Sequence, residues 1–187
     1  MQEIRFHGRG GQGTVVASIL LAKAFFKAGQ YVQTFPLFGV ERRGAPVEAY
    51  LRLDKQKILT RNNVTAPDHV VVQDTKLIQA VDVTRGLQPG GWILLNAAGP
   101  PEKPDTFSGF RLAFVDATRI ALGCDLGTRT HPMINTAMIG AFARIMQMPP
   151  LDIIAEAIEA EITIKPQNNI QALKEAYERV NIVGLVR

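Results

Sequence analysis

The sequence predicts an α/β protein: a Rossmann-like, mostly parallel sheet with flanking helices and a helical C-terminal segment. Three observations predict it. Short apolar runs recur through the first two thirds of the 187 residues. They are continuous rather than strictly alternating, as in strands covered on both faces. A glycine-rich turn, Gly8-Arg9-Gly10-Gly11-Gln12-Gly13, joins the first such run to a helical run, as in a strand–turn–helix unit. From Pro132 onward the pattern becomes helical.

The elements follow in order. Glu3 to His7 is the first strand. Thr14 to Lys27 is a helix, apolar on nearly every face and ended at Gly29, where a left-handed cap costs little. Such a helix is buried on most sides, by the sheet and by a partner chain. Tyr31 to Phe35 is the second strand. Val47 to Leu53 alternates and reads as a strand. Ile58 to Thr60 reads as a short edge strand. His69 to Gln73 and Trp92 to Asn96 are apolar runs bounded by Pro, Gly and Asp. Residues 97–109 form a Pro/Gly-rich surface loop, and Leu112 to Val115 is the last clear strand. Three helices follow, Met133 to Met146, Leu151 to Glu161 and Asn169 to Val180, punctuated by Pro149-Pro150 and Lys165-Pro166. Ile182 to Val186 is apolar and is expected to dock. The length fits one domain, residues 1–187.

Composition narrows the function. Apolar residues make up 47%, enough for a packed core. The net charge is +4, but the basic residues are scattered, without the Lys/Arg run of a nucleic-acid binder. Cys124 is the single cysteine, so an intrachain disulfide is impossible and an iron–sulfur cluster lacks its four thiolates. Cys124 reads as a free structural thiol. His7, His69 and His131 share no metal-ligand spacing. His7 sits beside the glycine turn, either touching a ligand or satisfied at an edge. With no signal peptide and no membrane span, the expected location is the cytoplasm.

Two segments carry the functional argument. The glycine turn has G-x-G-x-x-G spacing, and the N–H groups of a following helix start suit a phosphate or pyrophosphate. A tight turn without a ligand also fits. A triphosphate-binding P-loop is excluded because no Lys precedes Thr14. An NAD site needs a carboxylate after the second strand. Val32 to Phe38 has none, and the first is Glu41. NADP is less strongly excluded, since arginines hold a 2′-phosphate. The second segment, Glu41-Arg42-Arg43-Gly44-Ala45-Pro46, sets two guanidinium groups in a loop. In a βαβ unit both loops lie at the carboxyl edge of adjacent strands and face one anion.

The run HGRGGQGTVVASILLAKAF, the later FGVERRGAPVEAYLRLD, and RTHPMINTAMIGAFARI with Asn135, Met138, Gly140 and Ala141 resemble the gamma subunit of 2-oxoacid:ferredoxin oxidoreductases. Pyruvate synthase is the best-known member. The resemblance spans nearly the whole chain. It implies a multi-subunit enzyme that decarboxylates a 2-oxoacid on thiamine diphosphate, passes electrons through iron–sulfur clusters to ferredoxin or another acceptor, and forms an acyl-CoA. This chain has no thiamine diphosphate motif and too few cysteines. The resemblance therefore implies that thiamine diphosphate, Mg and the clusters belong to alpha, beta and ferredoxin-like partner subunits.

It also implies coenzyme A contacts in this chain. Gly8, Gly10, Gly11 and Gly13 would let the turn approach the pyrophosphate, with Arg9 and Gln12 as side-chain donors. Arg42 and Arg43 would clamp phosphate oxygens, or else pair with Glu41, Glu48 or a partner subunit. Asn135 would bond the pantetheine arm, or else cap a turn in the core. Two other readings stay open. One is a stand-alone NADP- or nucleotide-binding protein. The other is a structural subunit whose glycine turn holds only a partner side chain.

Overall fold

The computed structural model describes residues 1–37 and 44–187. Glu41, Arg42 and Arg43 therefore lie outside the described residues.

Strand β1 (Gln2–Arg9) leads through the glycine turn into α1 (Thr14–Lys27). Strands β2 (Tyr31–Leu37) and β3 (Pro46–Asp54) follow, then β4 (His69–Val72), β5 (Trp92–Asn96) and β6 (Arg111–Val115). After α2 (Ala117–Gly123) comes a two-strand hairpin, β7 (Gly127–Thr128) and β8 (His131–Pro132). Helices α3 (Asn135–Met146), α4 (Leu151–Glu161) and α5 (Pro166–Arg179) precede the final strand β9 (Asn181–Leu185).

The main sheet has the order β2-β3-β1-β4-β5-β6-β9. It is mixed, not mostly parallel as the sequence predicts. β1, β4, β5 and β6 pair in parallel. β3 is antiparallel to both β1 and β2, and β9 is antiparallel to β6. The physical reason lies in the first crossover. The crossover through α1 sets β2 two positions from β1, and β3 returns as a hairpin partner to fill the gap. β1 and β2 are therefore not adjacent strands. β1 is also longer than expected: Gly8 and Arg9 still pair with Val47 and Pro46, so the first two of the six residues of the glycine motif are strand.

Buried apolar residues from all five α-helices join one core, with Ile4, Phe6, Leu51 and Leu94 from the sheet. The opposite face holds a smaller cluster, including Val70, Ile93 and Phe114, covered by loops and by 3₁₀ turns at Thr75–Gln79 and Pro104–Phe107. The face behind β1 and β3 is polar. Arg5 and His7 are buried there, and Arg5 donates to the carbonyls of Val83 and Arg85. Arg52, also buried, pairs with Glu3 at 2.7 Å and donates to Asn62.

Other boundaries shift for identifiable reasons. Residues 58–60 form no strand, and Leu59 is 79% exposed. α3 starts at Asn135: Met138 N–H donates to Ile134 O at 3.0 Å, while Met133 N–H pairs with Leu126 O beside the hairpin. α5 starts at Pro166, whose ring fits the first helical position. The apolar run at 182–186 is largely β9, with a bulge opposite Leu112/Ala113. α1 is not covered on every side: Val16, Ile19 and Phe26 are exposed. α3 and α5 touch backbone to backbone, since a Cβ on Gly140 would lie 2.0 Å from Leu173 O.

Candidate functional site

The site lies at the carboxyl end of β1, above the start of α1. Gly11 and Gly13 have φ of 96° and 74°, a region other residues enter at a cost. Gly13 is the residue preceding α1, and no side chain caps the helix. Ala17 is the first residue to donate within the helix, to Gly13 O at 2.8 Å. Among the described residues, the N–H groups of Thr14, Val15 and Val16 have no backbone acceptor. They sit at the positive end of the helix dipole.

Gly8 is glycine for a different reason. A Cβ there would lie 2.0 Å from Thr14 Oγ1 and 2.8 Å from Gln73 Oε1. Strand and helix start thus touch directly, with the Thr14 hydroxyl donating to Gln73 at 2.5 Å. The buried amide nitrogen of Gln73 has no hydrogen-bond partner among the described residues.

The glycine turn meets the end of the arginine loop. Gly10 N–H donates to Ala45 O at 3.0 Å, and Gly44 N–H donates to Gly10 O at 3.3 Å. The Arg9 guanidinium donates to Gly44 O at 3.0 Å and to Asp74 Oδ2 at 2.6 Å. The Gln12 side-chain oxygen accepts the Arg9 backbone N–H at 2.8 Å. The Gln12 side chain is thus engaged within the turn, and the Arg9 side chain is engaged by Asp74 and Gly44 outside it.

Two clefts flank this turn and share Arg9, Gly10 and Gly11. The larger, about 790 Å³, runs past Val16, Met133 and Ile164 and reaches Asn135, Asn169 and Lys165. The smaller, about 490 Å³, is the more polar of the two and is bounded by Gln12, Gly44, Asp74, Lys76, Thr130 and His131. Asn135 is buried at the start of α3, and its side-chain oxygen accepts Thr136 N–H. Its amide nitrogen lies 2.9 Å from where a Cβ on Gly13 would stand. The structure therefore brings Gly8, Arg9, Gly10, Gly11, Gln12, Gly13 and Asn135 together.

His7 is neither at an edge nor at the clefts. It is 2% exposed on the polar face, accepts Arg5 Nε–H at 3.0 Å and lies 3.6 Å from Glu48. Burial pulls its pKa down to about 4, with Arg5 adding to the effect and Glu48 opposing it. Cys124 is buried, 3.9 Å from a Glu175 oxygen. Burial and that carboxylate raise its pKa, which suits an inert structural thiol. Among the described residues no three His, Cys, Asp or Glu side chains cluster as a metal site, and no helix is long and apolar enough to cross a membrane.

Sequence reasoning missed Gln73, Asp74 and the 127–132 hairpin. The first two were within reach. They follow a parallel strand beside β1, where ligand-facing residues of α/β sheets collect. The hairpin strands are two residues each and carry no periodic signal.

The chain matches the family described as pyruvate ferredoxin/flavodoxin oxidoreductase over residues 3–179. It is 44% identical over 181 residues to pyruvate synthase subunit PorC of Methanocaldococcus jannaschii, covering 96% of this chain and 97% of the relative. It is 44% identical over 194 residues to the pyruvate/ketoisovalerate oxidoreductases common subunit gamma of Pyrococcus furiosus, covering 99% and 100%. The crystal structure of pyruvate oxidoreductase subunit PORC from Thermotoga maritima superposes with a TM-score of 0.83 at 36% identity, covering 97% and 98%. A 2-oxoglutarate:ferredoxin oxidoreductase from Magnetococcus marinus, solved with 2-oxoglutarate, coenzyme A and succinyl-CoA bound, has a TM-score of 0.72 at 20% identity. It covers 95% of this chain and 30% of that one, a likeness of fold alone.

Proposed function

This chain belongs to the pyruvate ferredoxin/flavodoxin oxidoreductase family as the gamma subunit of a pyruvate/2-oxoacid:ferredoxin oxidoreductase, and on that footing we propose that its own task is to hold coenzyme A at the glycine-rich turn. The observation that carries the reading is the pair of bonds joining Gly10 to Gly44 and Ala45. They bring the glycine turn against the end of the loop that bears Arg42 and Arg43.

The donor set fits a phosphate-bearing ligand. Free N–H groups at the head of α1 take phosphate oxygens, and Gly11 and Gly13 keep side chains out of the way. The larger cleft, with Val16, Met133 and Ile164, suits the less polar pantetheine arm, and Asn135 offers it an amide. Arg9 is neutralised by Asp74, so Arg42 and Arg43 supply the cationic clamp on this reading.

The rest of the enzyme belongs to partner chains, proposed as alpha, beta and ferredoxin-like subunits in the cytoplasm. When bound there, thiamine diphosphate with Mg supports decarboxylation of the 2-oxoacid, and iron–sulfur clusters lead electrons to ferredoxin or another acceptor. This chain contributes orientation. Holding one reactant in place removes part of the entropic barrier to acyl transfer. The exposed Val16, Ile19 and Phe26 of α1 offer an apolar face for such a partner. Family membership over residues 3–179 sets aside a stand-alone NADP- or nucleotide-binding protein.

The test is kinetic, on the whole complex. Variants at the turn should raise KM for coenzyme A and leave KM for the 2-oxoacid unchanged. Unchanged coenzyme A kinetics in a correctly assembled complex would leave the turn a structural junction between subunits.

A further inference from the structure

Building on the coenzyme A reading, we propose that Asp74 is a positioning residue: acting through Arg9, it holds the glycine turn in register with Gly44 and Ala45 at the head of β3. Both of its oxygens are committed. One receives Arg9 Nε–H at 2.6 Å, and the other accepts Lys76 N–H at 2.9 Å. The same guanidinium reaches on to Gly44 O at 3.0 Å. Arg9 is thus a strut between the end of β4 and the end of the arginine loop.

The anchor of that strut is fixed by the sheet. Gln73, the residue before Asp74, donates its backbone N–H to His7 O at 2.8 Å and accepts the Thr14 hydroxyl at 2.5 Å. A carboxylate beside an anion site repels the ligand. Its presence here is accounted for by the strut, and this distinguishes the proposal from one in which Arg9 binds phosphate directly.

The sign of one substitution decides between the two. Asp74→Asn keeps an oxygen for Lys76 N–H and removes the negative charge that faces Arg9. In the assembled complex, the strut predicts that KM for coenzyme A rises about tenfold, as for a lost charge-assisted bond. KM for the 2-oxoacid and kcat at saturating coenzyme A stay within about twofold of the parent, the ordinary scatter for an uncoupled site. Arg9→Met with Asp74→Asn should be no worse than Arg9→Met alone, because both remove one strut. Hydrogen exchange at the amides of Gly10 and Gly44 should quicken in each variant.

A lower KM for coenzyme A in Asp74→Asn overturns the proposal, since a freed arginine would then be the direct ligand. Unchanged exchange at Gly10 and Gly44 also overturns it. Faster exchange with coenzyme A kinetics unmoved in both variants rejects the functional half and the coenzyme A reading with it, while the strut itself stands.

Discussion

The N–H of Gly10 donates to the carbonyl of Ala45 across 3.0 Å. This bond extends the β1–β3 ladder beyond Arg9 and Pro46, its last paired residues. Two motifs separated by a helix and a strand thus end on one edge. Gly44 and Ala45, the described end of the second motif, are held there by sheet geometry.

Arg42→Ala and Arg43→Ala should each raise KM for coenzyme A and leave KM for the 2-oxoacid nearly unchanged. A charge-assisted hydrogen bond contributes about 1.5–3 kcal/mol, so the expected rise is roughly tenfold to a hundredfold. Lysine should restore part of the affinity, because an ammonium lacks the planar fork. Dephospho-CoA separates the roles: an arginine on the 3′-phosphate should matter less with that analogue. Parental coenzyme A kinetics in both alanine variants would mark these arginines as interface ion pairs.

Gly13→Ala should be more damaging than Gly11→Ala. Both residues have positive φ, which costs an alanine about 1–2 kcal/mol. A Cβ on Gly11 meets nothing within 4 Å, whereas one on Gly13 would stand 2.9 Å from Asn135 Nδ2. Acyl-CoA formation should fall in Gly13→Ala, with coenzyme A-independent decarboxylation retained. Equal loss of both activities would argue against a ligand role.

Gly140→Ala should loosen the packing of α3 on α5, although Gly140 itself lines neither cleft. The added methyl would meet the Leu173 carbonyl at 2.0 Å, and backbone cannot step aside as a side chain can. Overpacking of this kind costs about 1–3 kcal/mol or more. Chemical denaturation of the isolated chain checks it. A variant as stable as the parent would mean that α3 and α5 separate easily.

His7 predicts a pH dependence of stability. Its folded pKa, about 4, lies below the ordinary value of 6.5, so the unfolded chain takes up the proton first. The stability held by neutral His7 is therefore complete above pH 6.5 and is lost as the pH falls toward 4. The full difference is on the order of 3 kcal/mol. His7→Gln keeps an acceptor for Arg5 and should flatten this slope in denaturation curves between pH 4 and 6.5. An unchanged slope would show that His7 is not its source.

The chain purified alone should show no iron–sulfur absorbance and no thiamine diphosphate, because it has a single cysteine and lacks the thiamine motif. Stoichiometric iron and sulfide in the isolated chain would defeat this.

Much of this was legible because it rests on local chemistry. α1 was readable to the residue from an apolar run between two glycine signals, as was α4 after Pro149-Pro150. The glycine turn and Asn135 were marked by sequence and do meet in space. The strand order was not legible. β3 lies between β1 and β2 because of hairpin return, which leaves no local trace in Val47 to Leu53. The bracket formed by Gln73 and Asp74 was hidden for a similar reason. It arises from parallel pairing of β4 with β1, a contact between residues more than sixty positions apart. His7 was misread as an edge residue because the polar environment that buries it comes from Arg5, Glu48 and the 82–85 segment together.

β9 has a protective role that follows from its place in the order. Without residues 181–185, β6 would become the outer strand, and its continuous run of Leu112, Ala113, Phe114 and Val115 would present unpaired backbone groups to other molecules. Such an apolar edge is a template for strand addition between chains. β9 covers it and is itself a poor template, bulged between Ile182 and Gly184, the latter with φ of 85°. Trimming this strand would therefore be expected to show first as self-association, before any loss of ligand binding, because the glycine turn lies on the far side of β4 and β5.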